Sequence, residues 1–480
     1  MRILMIGAEA MPFAATGGLG DVLGSLPGAI RAEAETCDVR VVLPLHGAVA
    51  AHWREQMREA ASMEVSLAWR KQRCVIRQME KGGITYYFLE NDYYFGREGL
   101  YGHGDDGERF AFFCKAAREM LRTLNWYPQV LHAHDWQAAL APIYLARKYR
   151  ALSGYEGIRT LFTVHNIEYQ GIFDLSALWD VFELTQEDRS FVEYNGRINL
   201  MKGGIECADR VSTVSPRYAE EICTPEHGHG LDPLLRERRE KLCGILNGID
   251  YERYHPARKK TGLIPYTWRS LEKKYENKKL LQKELGLPIA EELPLLSVIS
   301  RLAAHKGLDL IAEMVYNLLE EHPCQLIVLG LGEPRFESFF VELQAAYPDR
   351  VRALITYDRD LASRIYAATD IFLMPSRSEP CGLAQMIASR YGAIPVTRET
   401  GGLYDSIKDY REESGKIFGN GFTFADYSAQ ALAQRTEAAM ALWRDEERRR
   451  RLIGRIMRTD FSWLASAKRY LALYESLEQV

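Results

Sequence analysis

The sequence predicts an α/β protein in two parts, each a parallel sheet covered by helices on both faces. Short apolar runs alternate with helical stretches through residues 1–246, and a second alternating set fills 261–458. Such alternation marks strand–helix–strand units and a parallel sheet. Glycine-bearing turns follow apolar runs in both sets, at the carboxyl ends of strands, where open α/β sheets bind ligands.

The bulk properties agree with two or more cores. At 480 residues the chain exceeds what one ordinary core holds. It is 47% hydrophobic and 26% charged, as soluble globular proteins are. The net charge of −4 gives no reason to expect a nucleic-acid or membrane-surface binder. No apolar stretch of about 18 residues exists, so no membrane span is expected. Residues 3–8 are apolar but end at Glu9, too short for the core of a signal peptide. Eight scattered cysteines form no CxxC pair, which argues against zinc or a disulfide framework and for the cytoplasm.

The elements follow in order. Residues 2–6 read as the first strand and 22–34 as an amphipathic helix. The next strand, 39–43, is stopped by Pro44. Apolar runs at 130–133, 160–164, 211–215 and 242–246 continue the set. Residues 247–260, with Pro256 and a basic run, read as a linker, and 273–285 as a charged helix. The second set has runs at 295–299, 325–329, 351–355, 371–374 and 394–397. In 459–480, Trp463, Tyr470, Leu473, Tyr474 and Leu477 fall near helical spacing, a stripe that must pack on something.

Ser376-Arg377-Ser378-Glu379-Pro380-Cys381-Gly382-Leu383 is the most informative stretch. It places a carboxylate between the strand 371–374 and a helical segment beginning at Ala384, whose free N–H groups suit an anion. Thr400-Gly401-Gly402-Leu403 and Thr16-Gly17-Gly18-Leu19-Gly20-Asp21 supply two more turns of this kind. Together they suggest a phosphorylated ligand. Arg301 and Lys306, five apart after the strand 295–299, could clamp a diphosphate or simply start a solvated helix. His165-Asn166, with Tyr169-Gln170-Gly171, could bond sugar hydroxyls or form a structural turn.

Three patterns imitate metal or nucleotide motifs. His132 and His134 share a strand face but lack a third ligand nearby. Asp135 beside them could accept from a hydroxyl or cap a helix, and Trp136 could pack or stack. Asp358-Arg359-Asp360 precedes an amphipathic run, so capping is its expected work. Gly330-Leu331-Gly332 fails the dinucleotide fingerprint because Arg335 stands at the third glycine.

These motifs, taken in order, resemble the bacterial glycogen synthase and plant starch synthase family. The match runs end to end: TGGLGDV at 16–22, HAHDW at 132–136, LMKGGIECADRVSTVSP at 200–216, ILNGID at 245–250, SRLAAHKG at 300–307, YAATDIFLMPSRSEPCGL at 366–383 and TGGL at 400–403. The resemblance implies two facing Rossmann-like domains of GT-B type with the cleft between them, and a C-terminal helix crossing back to the first domain. It implies a retaining glucosyltransferase that moves glucose from ADP-glucose to the nonreducing 4-OH of an α-1,4-glucan, with no cofactor and no metal. Arg301 and Lys306 would hold the diphosphate, Glu379 would contact the donor sugar, and the backbone at Gly382 and Leu383 would hold the distal phosphate. His165 would lie against the transferred glucose, supported by Asn166. Gly17 and Gly18 would bring backbone to the phosphates beside Ala15 and Thr16. Asp21 and Asp135 would line the donor–acceptor space, and Thr400, Gly401 and Gly402 would edge the nucleotide.

The chain departs from the family pattern in places. Ala15 stands for a lysine, Ala384 for a threonine, Ser378 for a phenylalanine, and Tyr254-His255-Pro256 for Trp-Asn-Pro. Each hydrogen bond to charge lost this way costs roughly 1.5–3 kcal/mol. Two such losses amount to about 10²-fold or more in rate. Weak activity, a switch to UDP-glucose, and a glucan-binding paralogue with little catalysis all stay open at this level. A glycan phosphorylase does not fit, because no lysine matches its pyridoxal phosphate site.

Overall fold

The computed structural model describes residues 1–478. The chain forms two compact units, Met1–Gly248 with Trp463–Val480, and Ile249–Ser462. The stretch 249–260, expected as linker, thus belongs to the second unit. There Tyr266 N donates to Pro256 O, and the Lys260 ammonium lies over the Tyr391 ring.

The first unit is built on β1 (Arg2–Ile6), β2 (Asp38–Pro44), β3 (Arg58–Leu67), β4 (Arg70–Lys81), β5 (Ile84–Glu90), β6 (Val130–His134), β7 (Arg159–Val164), β8 (Arg210–Thr213) and β9 (Leu242–Gly244). Their order in one nine-stranded sheet is β9-β8-β7-β6-β1-β2-β5-β4-β3. β1 lies between β6 and β2, all parallel. The order reverses there, so the turns after β1 and β6 open at a switch point.

β3, β4 and β5 form an antiparallel extension not expected from the sequence. Their outer positions are largely charged and exposed, which hides the inward alternation of Val65, Leu67, Cys74 and Ile76. The first helix, α1 (Gly18–Glu33), starts four residues before the expected 22. Its first turn is glycine-rich because Ala15 crowds it. A Cβ on Gly20 would come within 2.3 Å of the Ala15 Cβ. The C-terminal helix, Trp463–Glu478, packs on α1 in a core holding Leu19, Val22, Leu26, Ile30, Trp463, Ala467, Tyr470, Tyr474 and Leu477.

The second unit carries six parallel strands: β10 (Leu295–Ile299), β11 (Gln325–Leu329), β12 (Val351–Leu354), β13 (Ile371–Met374), β14 (Ile394–Arg398) and β15 (Phe422–Phe424). Their order is β12-β11-β10-β13-β14-β15. Counted within the unit this is 3-2-1-4-5-6, the dinucleotide-fold order, with its switch between β10 and β13. All pairings in this six-stranded sheet are parallel, so both its faces need helices. Among these are α2 (Leu271–Glu284), α3 (Leu308–Glu321), α4 (Arg359–Ala368), α5 (Ala384–Arg390) and α6 (Gly401–Ser406).

Two buried lysines lock α2 in place. Lys274 Nζ donates to Ala367 O at 2.9 Å and Thr369 O at 2.7 Å, at the carbonyl end of α4. A cation suits that end, although burial pushes the Lys274 ammonium down to about 7. Lys278 pairs with Asp370 at 2.8 Å, both essentially inaccessible to solvent. The same Asp370 oxygen accepts from Leu295 N, tying α2 to the start of β10.

Asp358 caps α4: its carboxylate accepts from Asp360 N and Leu361 N, both at 2.9 Å. All eight cysteines are free. Among the described residues no helix is long and apolar enough to cross a membrane.

Candidate active site

In the second unit the loops after β10, β13 and β14 interlock at the switch point. Gly307 adopts φ +72°, and a Cβ there would come within 2.0 Å of Pro375 O. Arg377 N donates to His305 O at 2.9 Å. These contacts fix the loop 300–307 against the loop 375–383.

Lys306 Nζ then meets Glu379 Oε2 at 2.7 Å. Ser376 Oγ donates to the same oxygen at 3.0 Å. Glu379 is buried, Lys306 partly so, and Arg301 is exposed with no side-chain partner among the described residues. An exposed guanidinium beside a lysine at a helix start is an arrangement that favours an anion.

The third loop closes on the second. Gly401 adopts φ +44°, and a Cβ on it would lie 2.0 Å from Glu379 O. Gly402 N donates to Glu379 O at 3.1 Å and to Pro380 O at 3.2 Å. Gly382, φ +70°, has room for no Cβ against the Gln385 side chain. The structure thus brings Arg301, Lys306, Glu379, Gly382, Leu383, Thr400, Gly401 and Gly402 to three adjoining strand ends. Ala384, partly buried, opens α5 without a capping side chain.

In the first unit the equivalent turns follow β1, β6 and β7. Glu9 anchors the first. Its carboxylate accepts from Thr16 N at 2.7 Å, Thr16 Oγ1 at 2.8 Å and Gly20 N at 3.1 Å. Burial still holds its carboxyl above the usual range. Thr16, Gly17 and Gly18 are left exposed at the N-terminus of α1, with Ala15 and Asp21 partly buried beside them. TGGL at 16–19 and 400–403 each opens a helix after a strand, but only Gly401 and Gly402 are held against a neighbouring loop, while Gly17 and Gly18 stand exposed.

Asp135 does not cap a helix. It begins the four-residue helix Asp135–Ala138, with His134 in the cap position. Its backbone sits at φ +57°, uncommon outside glycine but within reach of Asp. Its carboxylate turns instead to the next strand end and accepts from His165 N at 2.7 Å. Burial, with the nearby Glu9 charge adding to it, pushes the Asp135 carboxyl up to about 7. Asn166 Oδ1 accepts from Glu168 N at 3.0 Å and shapes the turn.

Trp136 packs edge-on against Phe110, centroids 5.3 Å apart. Gly171, φ +64°, passes so close that a Cβ would lie 2.6 Å from the Trp136 ring. That resolves the packing-or-stacking alternative in favour of packing.

His132 and His134 do stack on one face, ring centroids 4.0 Å apart, and both are fully buried. His132 is used up: Nδ1 meets Tyr474 OH at 2.7 Å and Nε2 meets Thr163 Oγ1 at 2.6 Å. His134 Nδ1 meets His165 Nε2 at 3.0 Å. Burial drives all three imidazoles to the neutral form, His165 down to about 3. The link from His134 to His165 was missed in the sequence. The signal was there in the i, i+2 pair, but the partner lies on the neighbouring strand.

Elsewhere, Glu321, His322 and Glu437 bring possible ligand atoms within 4.8 Å of one another, at the far end of α3 from Lys306. They are partly exposed, and acidic groups often gather so without an ion.

Residues 2–237 match the family model described as the starch synthase catalytic domain, and 283–456 match group 1 glycosyl transferases. The glycogen synthase of Clostridioides difficile (strain 630) is 43% identical over 483 residues, 99% of this chain and 100% of its own. The chain belongs to the glycogen and starch synthase family. The glycogen synthase of Bacillus subtilis (strain 168) is 42% identical over 479 residues, 99% of this chain and 98% of its own. The catalytic domain of starch synthase IV from Arabidopsis thaliana, solved with ADP and acarbose bound, superposes with a TM-score of 0.90 at 34% identity. That alignment covers 100% of this chain and 99% of that one. Sucrose-phosphate synthase from Thermosynechococcus elongatus, at 16% identity and a TM-score of 0.61, shares the fold. The family places this chain among the glycosyltransferases, with the two-unit GT-B fold.

Proposed function

We propose that this synthase lengthens an α-1,4-glucan. Glucose would pass from ADP-glucose to the nonreducing 4-OH with retention of anomeric configuration. The observation that carries the reading is the Lys306–Glu379 pair at the strand-order switch of the second unit, with Arg301 on the same loop exposed and without a side-chain partner among the described residues. Without a donor, Glu379 supplies the negative charge that Lys306 needs at a helix start. With a donor, the diphosphate takes that place against Lys306 and Arg301, and the Glu379 carboxylate turns to the sugar hydroxyls. The ADP described in the Arabidopsis relative supports an adenine nucleotide.

In the reaction, negative charge grows on the departing diphosphate and positive charge on the anomeric carbon. Arg301, Lys306 and the helix N-termini of the second unit stabilise the leaving group without reorganising. By the family resemblance, the exposed turn 16–18 would offer further backbone N–H groups to phosphate. His165 and Asn166 act on the sugar, and Asp135 serves the acceptor side. Among the described residues no side chain stands out as a nucleophile, and in this reading the leaving phosphate takes the acceptor proton on the same face, with retention.

A labelled-glucose transfer assay onto glycogen, run with ADP-glucose and UDP-glucose, tests the reading. Faster turnover with ADP-glucose is expected, and equal or faster turnover with UDP-glucose overturns the donor assignment. A second reading, a glucan-binding protein with little catalysis, is favoured by Ala15 and Ala384. Calorimetric titration with ADP separates the two, because only the synthase reading requires ADP to bind.

A further inference from the structure

His165, the proposed sugar contact, has one ring nitrogen left for that contact. Its Nε2 is taken by His134 Nδ1 at 3.0 Å, while its Nδ1 has no partner among the described residues. Both rings are neutral, so a single proton lies between them, and two arrangements compete. In the first, His134 carries its proton on Nδ1 and donates it to His165 Nε2. In the second, His165 donates from Nε2, and His134 carries its proton on Nε2.

The surroundings of His134 decide between them. Its Nε2 is fully buried and has no hydrogen-bond partner. The stacked His132 cannot serve it, because both its nitrogens are engaged by Tyr474 and Thr163. The second arrangement strands a buried N–H donor. The first leaves only an unused lone pair. Orphaned buried donors are the rarer and costlier of the two.

We propose that His134 is a positioning residue that fixes the tautomer of His165, so that His165 presents Nδ1–H to the transferred sugar. His165 is then a hydrogen-bond donor at that atom and cannot take a proton there. The inference rests on the reading of His165 as a sugar contact. The stacked His132, pinned from the C-terminal helix by Tyr474, keeps the His134 ring from turning away.

The test is nitrogen NMR of the full chain labelled with ¹⁵N-histidine, the His165 signals being assigned with His165→Ala. Between pH 6 and 8 the native protein should show His165 with a protonated Nδ1 and a bare Nε2. The opposite pattern overturns the proposal, and this measurement needs no variant to fold. In His134→Ala, where water can enter the vacated space and accept from Nε2, His165 should move toward the Nε2–H form that free imidazole side chains favour in water. In the same variant kcat should fall about tenfold while ADP affinity by calorimetry stays the same. His134→Gln, whose amide can donate to Nε2, should recover part of the rate. An unchanged His165 pattern in His134→Ala also overturns the proposal. Full activity in His165→Ala would defeat the sugar-contact reading instead, and with it the catalytic consequence, while the spectrum still decides the tautomer.

Discussion

Two cations at one strand end have different burdens, and that separates their variants. Arg301 is exposed and has no side-chain partner among the described residues, so Arg301→Ala should leave the thermal midpoint unchanged. Lys306→Ala strands the buried Glu379 carboxylate, which should cost about 1–3 kcal/mol. Both should lower kcat/KM for the donor by at least about 10²-fold. Paired kinetics and denaturation check this, and a near-native rate in either variant removes it from the diphosphate site. Ala15 tests the family departure. Its side chain is partly exposed beside Thr16, so Ala15→Lys adds a cation at the turn without displacing Glu9. A charge-assisted bond of roughly 1.5–3 kcal/mol should raise kcat/KM for ADP-glucose about tenfold or more. Unchanged kinetics would show that the phosphates lie elsewhere. Asp135 gives a pH signature. Its carboxyl rises from 3.8 to about 7 on folding, so the native state holds the proton more tightly than the unfolded chain. The stability it contributes is therefore greatest in acid and is lost as pH rises from about 3.8 through about 7. Asp135→Asn can keep the bond from His165 N through its amide oxygen and removes the titration. Its melting temperature should gain on the native protein between pH 5 and pH 8, and a constant difference would refute the shift. At this scale the sequence exposed residue types but not partners. Glu379 and Lys306 were legible from their motifs. The Glu9 anchor and the His134 link were not, because each joins residues through a fold contact rather than a spacing.

Strands buried on both faces were readable as apolar runs, which is why β1, β10 and β13 fall where the runs fall. The hairpin strands β3 and β4 were not, because one face meets solvent and the charged residues there interrupt every window. The helix starts at Gly18 and Gly401 were also obscured. Glycine disfavours helix interiors, yet close approach to Ala15 demands it at Gly20, and close approach to Glu379 O and Cys381 O demands it at Gly401 and Gly402. The charged helix α2 was legible as a helix, but its lysines gave no hint of burial. Lys278 is the clearest case. Lys278→Met leaves Asp370 buried without its cation, and removal of one partner of such a pair costs about 3–5 kcal/mol. Chemical denaturation should show that loss. A loss below about 1 kcal/mol would mean that Leu295 N alone satisfies the carboxylate. Replacing both, as in Lys278→Met with Asp370→Leu, should recover part of it.

At the level of the whole chain the first unit is discontinuous, closed by a helix that comes after the entire second unit. Trp463, Ala467, Tyr470, Tyr474 and Leu477 are all nearly inaccessible against α1. Each large side chain among them contributes about 1.5–3 kcal/mol by burial. Their sum rivals the roughly 5–15 kcal/mol of a whole domain. A chain ended after Ser462 should therefore yield a first unit that is aggregated or readily cleaved by protease, with Ile249–Ser462 still protected. Protection of both units would show that α1 is stable uncovered. The same arrangement sets a clock on biosynthesis. Translation at about 5–20 residues per second puts roughly 10–40 s between the emergence of the last strand of the first unit and that of its closing helix. Through that interval the part of α1 that meets the C-terminal helix is without its partner. The nascent chain is most vulnerable to association with its neighbours on the ribosome then, and a holding chaperone would matter most in that window.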